Sequence, residues 1–156
     1  MFTLAPDPHH LPYEEGSLDV VFSVGVLEHV RDTGGDEVTS LAEIRRVLTE
    51  NGLLICCHFP NQWSWIDWTA RLSNTRHCHD FRYTKSDIVR LTGETGFELK
   101  ELKRYGILPR NSLGRVSPRI GESEVAARLV DAVDDTLGLL LWPIVQNFGF
   151  VARAHP

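Results

Sequence analysis

Asp19-Val20-Val21-Phe22-Ser23-Val24 is a β-branched and aromatic run with no polar alternation, which predicts a strand covered on both faces. The turn-prone cluster Glu14-Glu15-Gly16-Ser17 precedes it, and the chain becomes polar again at Glu28-His29. Asp32 to Asp36 reads as a loop ending at an N-cap. Val38, Leu41, Ile44 and Leu48 then recur at helical spacing over 37–49. Glu43, Arg45, Arg46 and Glu50 fall on the other faces and read as solvated. Asn51-Gly52 closes the helix, the glycine supplying a left-handed residue. Leu53 to Phe59 is the second predicted strand, and Pro60 stops it.

Farther on, Asn61 to Arg76 holds Trp63, Trp65 and Trp68, with Trp65 and Trp68 at a spacing that shares one side of a helix. Thr84-Lys85-Ser86-Asp87 has the form of a capping box with Asp in place of Glu. It opens a helix over 85–95 with Ile88, Val89 and Leu91, closed by Gly96. Phe97 to Tyr105 alternates weakly and predicts a third strand. A Pro, Gly and Arg loop over 107–121 leads to an amphipathic stretch from Glu122 to Trp142. Val125, Leu129, Val133, Leu137 and Leu140 or Leu141 fall on one face, with Asp131, Asp134 and Asp135 largely off it. This stretch lacks the basic face of a membrane-surface helix, so its apolar side is expected to face a core or a partner. Asn147 to Ala154 is the last strand.

The 156 residues are enough for one domain with a buried core. A net charge of −5 argues against general nucleic-acid binding, which depends on Lys and Arg at phosphates. A basic stretch comprising Lys100, Lys103, Arg104, Arg110, Arg115 and Arg119 reads as a solvated edge and loop. The apolar run Leu137 to Val145 is broken by Gly138 and Pro143 and is too short to span a bilayer. The first residues lack the cationic start and apolar core of a secretory signal. Three cysteines, two of them adjacent, make no disulfide framework, so a reducing cytoplasmic setting is expected. Cys56-Cys57-His58 and His77-Cys78-His79 invite a metal reading. Adjacent strand residues point to opposite faces, however, and neither C-x-x-C nor H-x-x-x-H spacing occurs, so no metal site is expected.

Leu11-Pro12-Tyr13, Gly16-Ser17-Leu18-Asp19, Val20-Val21-Phe22-Ser23 and Leu27-Glu28-His29, taken in this order, resemble the middle of the class I S-adenosylmethionine-dependent methyltransferases, in particular their small-molecule group. Ala42 to Leu48 followed by Asn51 to Ile55, then Pro60-Asn61, His79, Tyr83-Thr84 and Gly96-Phe97, continue the resemblance. It implies an α/β, Rossmann-like methyltransferase fold in part: the later strands of a mostly parallel sheet, with an antiparallel terminal strand beside the family's fifth. It also implies S-adenosylmethionine as cofactor and a small-molecule methyl acceptor. The family's glycine-rich turn has no counterpart here, which leads to the expectation of a single domain, 1–156, truncated at its N-terminus. The edge of strand 19–24 would then be covered by a missing N-terminal half or in a homodimer.

The resemblance places Asp7, Leu11, Ser23, Val24 and Gly25 toward the cofactor, Asp7 by its spacing from Leu11-Pro12. Glu28 and His29 are implied at the reacting group, and Trp63, Trp65, His79 and Arg82 at the acceptor. On local grounds alone, Glu28 also reads as a helix cap and His29 as packed beneath it. Asp7 reads equally as a turn residue between two prolines, the tryptophans as helix packing, and His79 and Arg82 as a tie between the tryptophan-bearing segment, which in the family lids the acceptor pocket, and the body. The alternative to an enzyme is a non-catalytic methyltransferase-like subunit that pairs with a partner through the exposed strand edge.

Overall fold

A computed structural model describes residues 10–73, 79–109 and 123–155. Four strands, β1 (Leu18–Val24), β2 (Leu48–Pro60), β3 (Phe97–Tyr105) and β4 (Asn147–Ala154), form one sheet in the order β1-β2-β4-β3. β1 and β2 are parallel, with Val20 to Val24 registered on Leu53 to Cys57. The backbone bond from His155 to Gly96 sets the end of β4 beside the start of β3, and Gln146 to Gly106 joins their opposite ends. β4 is therefore antiparallel to β3, inserted between β2 and β3. Four helices are described: α1 (Glu37–Val47), α2 (Trp65–Leu72), α3 (Lys85–Glu94) and α4 (Glu124–Leu140), with short 3₁₀ turns at Leu27–Thr33 and Trp142–Ile144.

The chain divides into two compact units. The first comprises residues 1–60, 81–103 and 148–156 and holds the sheet core. Leu41, Ile44 and Val47 of α1, Leu54, Cys56 and Phe59 of β2, Ile88 and Leu91 of α3, and Phe148 and Phe150 of β4 are all buried. The expected caps are present. Asp36 accepts from the Thr39 amide, and Thr84 and Asp87 exchange the reciprocal bonds of a capping box. Val38 lies outside the buried face of α1, and Val89 outside that of α3.

Three expectations are corrected in this unit. β1 is covered on one face only: Ser23 is buried, whereas Val20, Phe22 and Val24 are 42%, 68% and 53% exposed, because these three point to the face of the sheet that the described residues leave uncovered. The left-handed residue after α1 is Asn51 (φ 64°), not Gly52. Gly52 is needed for space, since a Cβ there would lie 3.0 Å from Leu48 Cδ2 and Thr49 O and 3.2 Å from Asp19 O. Nor are the charges of α1 merely solvated. Glu43 accepts from the Leu11 amide (2.8 Å) and from Arg46, while Arg46 donates to the carbonyls of Leu11 and Tyr13. Arg45 donates to the His155 carbonyl. Together these bonds strap the segment before β1, and the end of the chain, onto α1.

The second unit comprises residues 61–80 and 104–147. Asn61 is fully buried at its root: its Nδ2 donates to the carbonyls of Pro143 (2.9 Å) and Val145 (2.8 Å), and its Oδ1 accepts from the Trp63 amide. Ser64 caps α2. α4 does not bury against a core the stripe that its apolar spacing predicts. Val125, Leu129, Val133 and Leu140 are exposed, while Asp134 is 1% exposed. Asp134 Oδ1 accepts from the amides of Ile107 (2.9 Å), which is buried, and Leu108 (2.6 Å), which is half-buried.

Candidate functional site

The carboxyl end of β1 is where a parallel sheet opens to ligands. Ser23 pairs in register with Cys56, and its Oγ, facing the weakly polar thiol, has no hydrogen bond of ordinary geometry. Gly25 then turns the chain with φ 66°, its amide donating to the Cys57 carbonyl at 3.3 Å. The 3₁₀ turn that follows buries Leu27, Glu28 and Val30. Glu28 is 5% exposed, and its Oε2 has no partner among the described residues. A Cβ built on Gly25 would stand 3.7 Å from Glu28 Oε1, so the carboxylate lies directly beneath that exposed turn. Burial, and then the Glu28 charge, push the Cys56 thiol far above its usual range, which leaves it a neutral core residue.

Glu28 caps no helix: the residue before the 3₁₀ turn is Val26, and no side chain caps it. His29 does not pack underneath either. Its side chain is 56% exposed and its Nδ1 lies 2.8 Å from Asp32 Oδ2. Leu11 is half-buried on its α1 strap, Val24 and Gly25 are exposed, and Arg82 is half-buried. Asp7 lies outside the described residues, as do His77 and Cys78.

Beside these residues, the first unit holds a network that spacing alone did not reveal. Glu37, 2% exposed, accepts from Arg31 Nε (2.8 and 2.9 Å), from Arg31 Nη2 (2.8 Å) and from the Tyr83 hydroxyl. Arg31 stacks over the Phe81 ring at 4.5 Å, and Tyr83 stacks on Phe59 at 4.0 Å. Burial raises the Glu37 carboxyl, but the bonds from Arg31 and Tyr83 outweigh it and hold the pKa below the usual range. Burial and the bond to Glu37 push the Tyr83 hydroxyl well up. The only sequence signal for this network was the family-like spacing from His79 to Tyr83.

The acceptor candidates of the second unit separate into two kinds. Trp65 is half-buried, its Nε1 donating to the Ile107 carbonyl at 2.8 Å, whereas Trp63 and Trp68 are each 63% exposed. His79 is tied to α2: its amide and Nδ1 face Asp67 Oδ1 at 3.3 and 3.4 Å, and Arg71 reaches its carbonyl.

Residues 3–56 match the family described as a methyltransferase domain. No curated protein matches the chain in sequence. Among solved structures, the chain is similar to a SAM-dependent methyltransferase from Methanosarcina mazei (13% identity, 96% of this chain and 65% of that one, TM-score 0.59). It is similar to a candidate methyltransferase in complex with the Haloferax volcanii Trm112 methyltransferase activator (14%, 98% and 61%, 0.61). It also resembles a Thermotoga maritima methyltransferase described as a candidate histamine N-methyltransferase (15%, 99% and 64%, 0.60). The chain thus spans just under two thirds of each of these structures. Residues 3–56 thus match a methyltransferase-domain model in sequence, and over nearly its whole length the chain shares the fold of solved S-adenosylmethionine-dependent methyltransferases.

Proposed function

We propose that this chain serves the transfer of a methyl group from S-adenosylmethionine to a small-molecule acceptor. The observation that carries this reading is the pair of buried, unpaired polar groups, Ser23 Oγ and Glu28 Oε2. They sit at the carboxyl end of a parallel strand, within the segment matched by the methyltransferase family. In this reading Leu11, Ser23, Val24, Gly25 and Asp7 serve the cofactor, and Glu28 and His29 the reacting group. Trp63, Trp65, His79 and Arg82 serve the acceptor.

The described residues fit part of such a cofactor. An open glycine turn, an apolar Val24 and an unsatisfied serine hydroxyl are present, while the sequence has no G-x-G-x-G turn for the methionine end. When bound, S-adenosylmethionine supplies an activated methyl, so the protein's task is chiefly alignment. Histidine suits proton removal near neutral pH where an acceptor requires it. Free Cys56 and Cys57 accord with a reducing cytoplasmic setting, and no helix among the described residues is long and apolar enough to cross a membrane.

Calorimetric titration with S-adenosylhomocysteine tests the proposal. Micromolar binding supports it, and no binding at millimolar concentration overturns it. A second reading is favoured by the two sheet edges. β3 carries Glu98-Lys100 and Glu101-Lys103 ion pairs, as guarded edges do, while β1 exposes Val20, Phe22 and Val24. In that reading the chain is a methyltransferase-like subunit whose β1 edge pairs with a partner strand, and it need not bind cofactor by itself.

A further inference from the structure

We infer that Glu28 is the recognition group for an N–H-bearing amine or ammonium, seated beneath the Gly25 turn at the carboxyl end of β1. The inference deepens the methyl-transfer reading and rests on it for the idea that the amine belongs to the methyl acceptor. Four acids are buried among the described residues: Glu28, Glu37, Asp67 and Asp134. Three have donors close by. Glu37 has Arg31 and Tyr83, Asp134 has two backbone amides, and Asp67 has the His79 amide and ring. Glu28 alone keeps a buried oxygen with no donor.

Burying an ionised carboxylate without a partner is among the costliest features a fold can carry, and folds that keep one supply a donor from elsewhere. A carboxylate accepts and never donates, so its complement must bring N–H or O–H groups, and its charge favours a cation. Glu28 Oε2 is itself buried, and the exposed Gly25 turn, without a side chain, lies against Oε1. Exposed Val24 and Val26 on either side of that turn offer contact to the aliphatic part of a small amine. Ser23 Oγ, on the same strand end, is a second unsatisfied acceptor.

The test is titration of the full chain with ethylammonium chloride, followed by calorimetry, with tetramethylammonium chloride as a cation of equal charge that has no N–H. The expected result is saturable binding of ethylammonium, weaker binding of tetramethylammonium, and a loss of roughly tenfold or more in Glu28→Gln, the scale of a hydrogen bond to a charged group. The inference is overturned if the wild-type chain shows no saturable binding, if the two cations bind equally, or if Glu28→Gln binds as well as wild type. Should Glu28→Gln fail to fold, Gly25→Asn decides. Asparagine tolerates the left-handed turn while covering the carboxylate, so undiminished ethylammonium binding in Gly25→Asn would equally overturn the placement. A parallel titration with S-adenosylhomocysteine separates the two claims. Glu28-dependent amine binding without cofactor binding retains the site and removes the methyl-transfer reading, and the converse removes only the site.

Discussion

Replacing Glu37 by alanine is the sharpest probe of how the first unit holds the turn that follows β1. The carboxylate is 2% exposed and accepts three bonds from Arg31 and one from Tyr83. Breaking a buried pair by deleting one partner costs about 3–5 kcal/mol. The Arg31 side chain is 44% exposed and can return to water, so the lower end of that range applies. The Tyr83 hydroxyl has no such recourse, and stranding it accounts for about 1–3 kcal/mol of the total. The expected loss for Glu37→Ala is therefore about 3 kcal/mol, equivalent to roughly 6–12 °C in Tm for a chain of this size. Tyr83→Phe keeps the stacking on Phe59 and should lose about half as much, ~1.5 kcal/mol. Urea unfolding followed by circular dichroism reads both, and the double variant should fall short of their sum, because the two residues share one bond. A Glu37→Ala variant within about 1 kcal/mol of wild type, or strict additivity, would refute the reasoning.

Other consequences can be measured in the same way. Bonds from Arg46, and from the Leu11 amide against some burial, hold the Glu43 carboxyl down at about 2. Its stabilising effect is thus complete above the unfolded value of about 4.3 and is lost as pH falls toward 2. Denaturation at stepped pH should show wild type losing stability across that window more steeply than Glu43→Gln, and coincident curves would count against the strap. Gly52→Ala puts a Cβ 3.0 Å from a backbone carbonyl and a leucine methyl, and should cost about 1–3 kcal/mol by urea titration, where a neutral result would show that these neighbours give way freely. Phe22→Lys charges the open face of β1 and should lower self-association in sedimentation velocity, whereas unchanged association would place the sticky surface elsewhere.

Sequence pattern carried the architecture well because its signals are local. β3 and β4 run from Phe97 to Tyr105 and from Asn147 to Ala154, as their patterns predict, and the cap at Asp36 and the capping box at Thr84 both formed. These features depend on residues three or four apart, or on alternation within one strand. The helix before β2 ends two residues early, at Val47, because Leu48 already pairs with Leu18 and belongs to the strand. Local pattern has no means of seeing that competition.

The site was legible in position and illegible in partnership. Leu27-Glu28-His29 does stand at the end of β1, but whether Glu28 would cap, pair or remain bare depended on groups far away in sequence. The Tyr83–Glu37 bond spans 46 positions and the Asp134–Ile107 bond 27, and neither leaves a trace in periodicity. α4 shows the same thing from the other side. Its apolar stripe is the stronger sequence signal, yet Val125, Leu129, Val133 and Leu140 are exposed and the buried residue of α4 is Asp134, which accepts from two amides. Leaving an amide unsatisfied costs about 1–3 kcal/mol and burying a valine or leucine gives about 1.5–3 kcal/mol, so two amides on one carboxylate do not by themselves account for four exposed apolar side chains. Glu28 stands apart from the other buried acids: Glu37, Asp67 and Asp134 each have donors, and Glu28 Oε2 has none among the described residues.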